Sequence, residues 1–562
     1  MKNLPQATVA AAVAQACQKL FGLEAVVVLT RPDPQFGDFA SNIALQLSKS
    51  VGKNPREVAE AIAAELRTDL DDTLSDVAIA GPGFINLRLR DYVLAGLSTQ
   101  GPAQVYAGKT ILAEYSDPNP FKPMHAGHLY TTLVGDTIAR LTEAAGAKTV
   151  RLNFGGDVGL HVGKSMWSIL RHLGGEHPEA LESVDQAERA AWLGARYVEG
   201  NNAYEDDEAA KAEIIAVNKR VYALHEADDH ESSFARIYWT CRQWSYDYFS
   251  MLYEQLQVVP FDRFIPESEV TPLGIATVRE QLEKGVFQTS DGAVVFNGES
   301  RGLHTRVFIN SEGIPTYEAK DVGLSLTKWR DYHFDQSIII TANEQLQYMQ
   351  VVLAAIHEFA LEASERTSHL VHGFVKLQGG VKMSSRKGNV VTALEILDSA
   401  RQAGAMTGTD PSEDTILAAV KYSFAKNRIG SDIVYDPKES IALEGNSGPY
   451  LQYAHARARS IMAKAGKGPT NVELIDLEAD EHGLLLKITG YAEAVDRAVA
   501  ELMPHHICSY LYELAQEFNR FYEKNQVVGD PRQAVRLELV RLYADRLKAG
   551  LGLLGIAAPD RM

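Results

Sequence analysis

The sequence predicts an α/β protein built round a parallel sheet, with a small α+β unit before it and an all-helical bundle after it. Three observations carry that prediction. Strand-like, helix-like and strand-like patterns follow one another from "TILAEYS" (110–116) to "KTVRLNFGGDVG" (148–159), as in the βαβ unit of a parallel sheet. A tract rich in Ala, Glu and Asp interrupts the strand signals between 165 and 255. From residue 406 onward nearly every stretch has helical periodicity.

Taken in order, residues 1–105 alternate helical stretches (Ala7 to Phe21, Pro55 to Leu66) with the β-rich runs "AVVVLT" and "GFINLRL", the second turned by Gly81, Pro82 and Gly83. The sheet unit occupies 106–405. After "TILAEYS", Leu129, Leu133, Ile138 and Leu141 recur at helical spacing and Gly146 supplies a stop. Loops at the carboxyl ends of such strands are where ligands bind. The tract at 165–255 reads as a helical insertion with solvated acidic faces and no catalytic cluster. Strand signals return in "GAVVFN", "TRVFIN" and "QSIIITA" and close the sheet unit. Residues 406–562 form the bundle, with amphipathic runs at Tyr450–Ala463 and Ile507–Lys524.

Composition narrows the function classes. At 562 residues the chain needs several cores. A net charge of −18 argues against a generic polyanion binder, although a local basic face still admits nucleic acid. Cys17, Cys241 and Cys508 are too scattered for a disulfide framework or a zinc knuckle. No apolar run is long enough to cross a bilayer, and the first residues lack the compact apolar segment of a secretion signal. The expectation is a soluble cytoplasmic protein without a membrane partner.

Two short segments carry chemistry. "PFKPMHAGHLYTT" (120–132) places His125 at the end of a loop and His128 in the first helical turn, with Gly127 allowing close approach to the backbone. Two imidazoles, a glycine floor and the amide donors of a helix N-terminus suit a triphosphate whose charge shifts during reaction. Alone, two surface histidines are the commoner meaning; a metal site lacks a third ligand at useful spacing, so no metal residues are assigned. "VKMSSRKGNVV" (381–391) sets Lys382, Arg386 and Lys387 around Met383, Ser384 and Gly388, a cationic loop suited to clamping phosphates, or alone a basic surface turn. Together on one parallel sheet the two segments are far more specific.

HAGH followed by KMS is the paired signature of class I aminoacyl-tRNA synthetases, and the chain resembles the arginyl-tRNA synthetases in particular. "FGDFASNIALQLSK", "AGPGFINLRL", "YSDPNPFKPMHAGHL", "NFGGDVG", "PTYEAKD", "KMSSRKG", "EGNSGPYLQYAHAR" and "LLGIAAPDRM" carry the likeness nearly end to end. The resemblance implies a Rossmann-like catalytic core, an N-terminal domain touching the outer corner of tRNA, and a helical anticodon-binding domain. It implies activation of arginine with ATP, accompanied by Mg2+, and transfer to the 3′ end of the cognate tRNA by a mostly monomeric enzyme that commonly needs bound tRNA for activation. His125, Gly127, His128, Lys382 and Ser384 inherit the phosphate-handling role. The loop departs from the full KMSKS pattern at Ser385; Lys122 matches a lysine that family members with a degenerate loop carry, and Lys387 is the alternative source of the missing charge. Glu114, Asn119, Tyr317 and Asp321 match substrate positions, with Glu267 either a further one or an ordinary capping acid. Arginine's planar donors call for such carboxylates. Glu344 falls where the family has a substrate glutamine, beside Gln345. Phe84 and Asn86 match the tRNA-corner surface, Phe84 being equally readable as core. Tyr450, Tyr453 and Arg457 share one helical face that matches the anticodon-binding helix; Tyr522 and Met562 are weaker candidates for the same surface.

Overall fold

The computed structural model describes residues 5–378, 391–406, 411–466 and 472–562. Its centre is a five-stranded, wholly parallel sheet: β1 (Thr110–Glu114), β2 (Lys148–Gly155), β3 (Arg263–Pro266), β4 (Gln336–Ala342) and β5 (Thr367–His372), in the order β5-β4-β1-β2-β3. Strand order reverses on either side of β1, so the loop leaving its carboxyl end opens at the switch point, where a crevice must form.

That loop runs into α1 (Ala126–Ala144), which is buried on nearly every side between the sheet and later helices. The insertion supplies α2 (Leu160–His172), α3 (Arg189–Asp206), α4 (Glu208–Glu226) and α5 (Ser233–Gln255), packed round their own apolar core. Beyond β3 come α6 (Glu267–Glu283), α7 (Tyr317–Tyr332) and α8 (Leu346–His357). The bundle includes α9 (Gly448–Ala465) and α10 (His505–Lys524).

The expected elements at 110–155, "QSIIITA" and the bundle are present. "GAVVFN" and "TRVFIN" are strands too, but they join Gln288–Ser290 in a separate antiparallel sheet instead of closing the central one. The central sheet is closed by β3 and β5, whose short apolar stretches carry no distinguishing period. "AVVVLT" is extended chain, not a strand, and Thr30 at its end bridges Ala40.

The N-terminal unit, a three-stranded antiparallel sheet with Phe84–Leu89 at its centre, docks on the bundle through polar contacts. His482 is held between Asp38 (2.9 Å) and Asp91 (2.8 Å), and Arg31 pairs with Glu493 at 3.0 Å. On the opposite side of the bundle, buried Lys421 donates to the Gly555 carbonyl at 2.6 Å and to that of Gln257 at 3.4 Å. Asp136 of α1 lies at the same joint, accepting from Val259 N–H and from Arg140.

Candidate active site

The two signature imidazoles are fixed by their own backbone. His125 is the N-cap of α1: its Nδ1 accepts from the Gly127 amide at 3.1 Å and the His128 amide at 3.3 Å, while His128 Nδ1 accepts from the His125 amide at 3.3 Å. This is a capping box made of histidines. The rings stack 3.7 Å apart. Because each Nδ1 is an acceptor, each ring carries its proton on Nε2, which leaves two neutral N–H donors. Burial, then the Lys122 charge, hold His125 down at about 4, and burial, His125 and Lys122 hold His128 well below the usual imidazole range. Gly127 is needed here for a different reason from the one the sequence suggests: a Cβ on it would lie 2.9 Å from the His125 ring, so the glycine makes room for the cap.

Around them the strand ends gather charged groups. Glu114, at the end of β1, is buried and paired with Lys328 at 2.6 Å. Asn119 accepts from the Gly156 amide at 2.9 Å. Glu267, the first residue of α6, is buried against Lys320 at 2.5 Å and is no surface cap. Asp157, fully buried, accepts from the Ser268 amide at 2.9 Å and from Arg242 at 3.0 Å, and so fixes the start of that helix. Asp321 is 8 % exposed on α7 and accepts from the Tyr348 hydroxyl. Burial, then the charges of Glu114 and Glu267, raise Asp321 well above the usual carboxylate range, with Lys328 opposing; Asp117 is raised likewise by burial and Glu114. Buried acids so close together disfavour one another's ionised forms. Tyr317 stands at the mouth, its hydroxyl 3.5 Å from His161.

Lys122 lies over the Tyr197 ring at 4.2 Å. Lys382 and Ser384 lie outside the described residues. The chain that follows them is tied to the signature: Ala126 N–H donates to the Val391 carbonyl at 2.9 Å, and Ala393 N–H to that of Met124 at 2.9 Å. Among the described residues no group of three His, Cys, Asp or Glu is placed to hold a metal ion.

A family profile described as "tRNA synthetases class I (R), catalytic domain" matches residues 93–436. The chain belongs to the class I arginyl-tRNA synthetases. Further profiles of an "Arginyl tRNA synthetase N terminal domain" and a "DALR anticodon binding domain" match 6–89 and 451–562. Among similar proteins is the arginine–tRNA ligase of Frankia casuarinae, 32 % identical over 100 % of this chain and 98 % of its own. That of Bacteroides fragilis is 29 % identical over 96 % of each. The solved arginyl-tRNA synthetase of Thermus thermophilus superposes with a TM-score of 0.79 at 25 % identity, covering 100 % of both chains. That of Plasmodium falciparum gives 0.76 at 21 % over 99 % of both, a likeness of fold.

In this arginyl-tRNA synthetase the expected outer positions behave unequally. Phe84 is 41 % exposed at the start of its strand, a surface ring and not a core one. Asn86, two residues on and so on the same face of the strand as Phe84, is 6 % exposed. Tyr450, Tyr453 and Arg457 lie on α9 as the spacing requires, and Tyr453 is exposed. Asn519 of α10 ties the group together, donating to Tyr450 Oη at 2.9 Å and accepting from Arg457 at 3.2 Å; Arg457 in turn lies 4.7 Å over Tyr522. Met562 is exposed. Glu344 is exposed in the turn after β4, and no contact joins it to the acids of the pocket. Sequence reasoning passed over Tyr348, Lys320, Lys328 and Asp157. Asp157 stood inside the quoted "NFGGDVG" and Lys320 inside "PTYEAKD", but their partners lie far away in sequence.

Proposed function

We propose that this chain is an arginine–tRNA ligase that works as follows. ATP lies in the crevice beyond β1, its phosphates against the Nε2–H groups of His125 and His128 and the Lys122 ammonium. Neutral imidazoles bind substrate and developing charge by hydrogen bonding alone, so their contribution grows as the transition state places more charge on the phosphate oxygens. Lys382 and Ser384 take their role on the same triphosphate, which brings Mg2+ with it as part of the substrate.

Arginine's guanidinium enters the acidic pocket against Asp321, with Tyr317 over it and Glu114, Asn119 and Glu267 shaping the walls. Lys328 and Lys320 already pair with Glu114 and Glu267, so that Asp321 is the acid left to meet the ligand. The arginine carboxylate attacks the α-phosphorus of ATP and pyrophosphate leaves; a hydroxyl of the 3′-terminal ribose of the tRNA then attacks the carbonyl carbon of the adenylate, and AMP leaves. Tyr450, Tyr453, Arg457 and Tyr522 receive the anticodon bases by stacking, and Phe84 the outer corner. The buried carboxylate of Asp321 among further acids, with the capped neutral histidines on α1, is the observation that carries this reading.

Three buried free cysteines suit the reducing cytoplasm, and no helix among the described residues is long and apolar enough to cross a membrane. Aminoacylation of tRNA transcripts with arginine, lysine and glutamine in parallel tests the function. Charging with arginine alone is expected; charging with lysine or glutamine, or none, refutes it.

A further inference from the structure

The helical insertion does more than add solvated surface. Helix α3 is pressed against the signature loop and α2: a Cβ on Gly194 would lie 3.1 Å from Pro123, and one on Gly200 only 2.0 Å from the Lys164 carbonyl oxygen. From this face it presents Tyr197 and Tyr204, two helical turns apart, and each ring lies against a lysine of the site. Lys122 Nζ is 4.2 Å from the Tyr197 centroid, and Lys164 Nζ is 4.2 Å from that of Tyr204. The two lysines differ in their other company. Lys164 also reaches Asn201 at 2.9 Å and Glu205 at 3.6 Å, whereas among the described residues no carboxylate lies within ion-pairing distance of Lys122.

We propose that Tyr197 is a positioning residue for the reaction: its π face holds the Lys122 ammonium aimed at the triphosphate in place of a carboxylate. A carboxylate there would neutralise the charge and repel the phosphates. An aromatic face attracts a cation without carrying net charge, so the ammonium stays available to an anion. This rests on the assignment of Lys122 to the triphosphate given above. The surroundings agree: burial, then the Lys164 charge, bring Lys122 down to about 8, with Glu267 opposing, and His125, His128 and His161 are the remaining titratable groups that feel its charge. Lys122 acts as the ammonium ion.

The test is ATP–pyrophosphate exchange with saturating arginine and tRNA, using the full chain and Tyr197→Phe, Tyr197→Leu, Lys122→Met and the Tyr197→Leu/Lys122→Met double variant. Tyr197→Phe keeps the π face and is expected within about threefold of the parent, while Tyr197→Leu lowers kcat about tenfold. The Leu variant should also leave the KM for arginine unchanged, so that the loss falls on kcat alone. Beside Lys122→Met, the Leu substitution should have no further effect. Tyr197→Met repeats the measurement if Leu lowers the melting temperature. A loss in Tyr197→Phe as deep as in Tyr197→Leu, or a Leu loss that persists in full beside Lys122→Met, overturns the positioning role. Parental exchange in Lys122→Met overturns the assignment of Lys122 itself, whatever the tyrosine does.

Discussion

Asp321→Asn is the sharpest probe of the pocket, because the amide keeps the shape and still accepts from Tyr348 while removing one charge. Asp321 is 8 % exposed, so its interaction with a bound guanidinium is little screened. Truncating one partner of a buried, hydrogen-bonded charge pair costs about 2–5 kcal/mol. Glu114 and Asp117 remain nearby, which places the loss at the lower end, about 2–3 kcal/mol or roughly 30- to 150-fold in the KM for arginine. The pH dependence supplies a second readout. Burial and the charges of Glu114 and Glu267 raise the carboxyl of Asp321 in the free protein, whereas the guanidinium favours its ionised form. Arginine therefore binds more weakly where the free carboxyl is protonated, and its KM falls as pH rises until Asp321 is ionised without help. Asparagine flattens that slope, leaving only the part due to Asp117. Initial rates of aminoacylation at saturating ATP and tRNA, from pH 6 to 8, measure both quantities. A KM within threefold of the parent, or an undiminished slope, would refute the role of Asp321.

His128→Ala removes one of two donors aimed at the phosphates and should lower the rate of adenylate formation about 100- to 1000-fold, with the arginine KM nearly unchanged; equal losses in both contradict the assignment. Gly127→Ala puts a methyl group into the His125 ring position, so exchange activity should fall at least tenfold while the melting temperature moves only a few degrees. His482→Gln tests the joint between the N-terminal unit and the bundle. Burial pushes the His482 imidazole down, but bonds and charges from Asp38 and Asp91 more than reverse this, and its pKa ends up raised. A raised pKa means the stabilisation is complete below the unfolded value, near 6.5, and disappears as pH climbs through the folded one. Urea titrations should thus show the parent's advantage over His482→Gln shrinking from pH 6 to 9; an advantage independent of pH would contradict a protonated latch.

Local chemistry was legible, and long-range pairing was not. The strand–loop–helix around His125 could be read because glycine, apolar spacing and motif all lie within one short stretch. Glu267 was ambiguous between cap and site because what buries it, Lys320 and the Asp157 contact to Ser268, comes from segments with no local relation to it. Tyr348 was missed for the same reason: its hydroxyl matters only because α8 is packed against α7. The insertion looked like solvated helix since its acids do face water; Tyr197 and Tyr204 show on the other face only once Lys122 and Lys164 arrive opposite them. "GAVVFN" and "TRVFIN" have sound strand patterns, but periodicity does not say which sheet a strand joins.

The joint at Lys421 ties together parts that perform separate tasks. The stretch from Gly555 to Asp560 runs alongside α9 in the same direction, giving carbonyls to Gln452 and His455 and a carboxylate to Arg459. Its first residue is moored by the same lysine that sits next to Asp136, on the helix whose other end carries both imidazoles. Lys421 and Asp136 therefore place that stretch against the rear of the helix that carries the imidazoles.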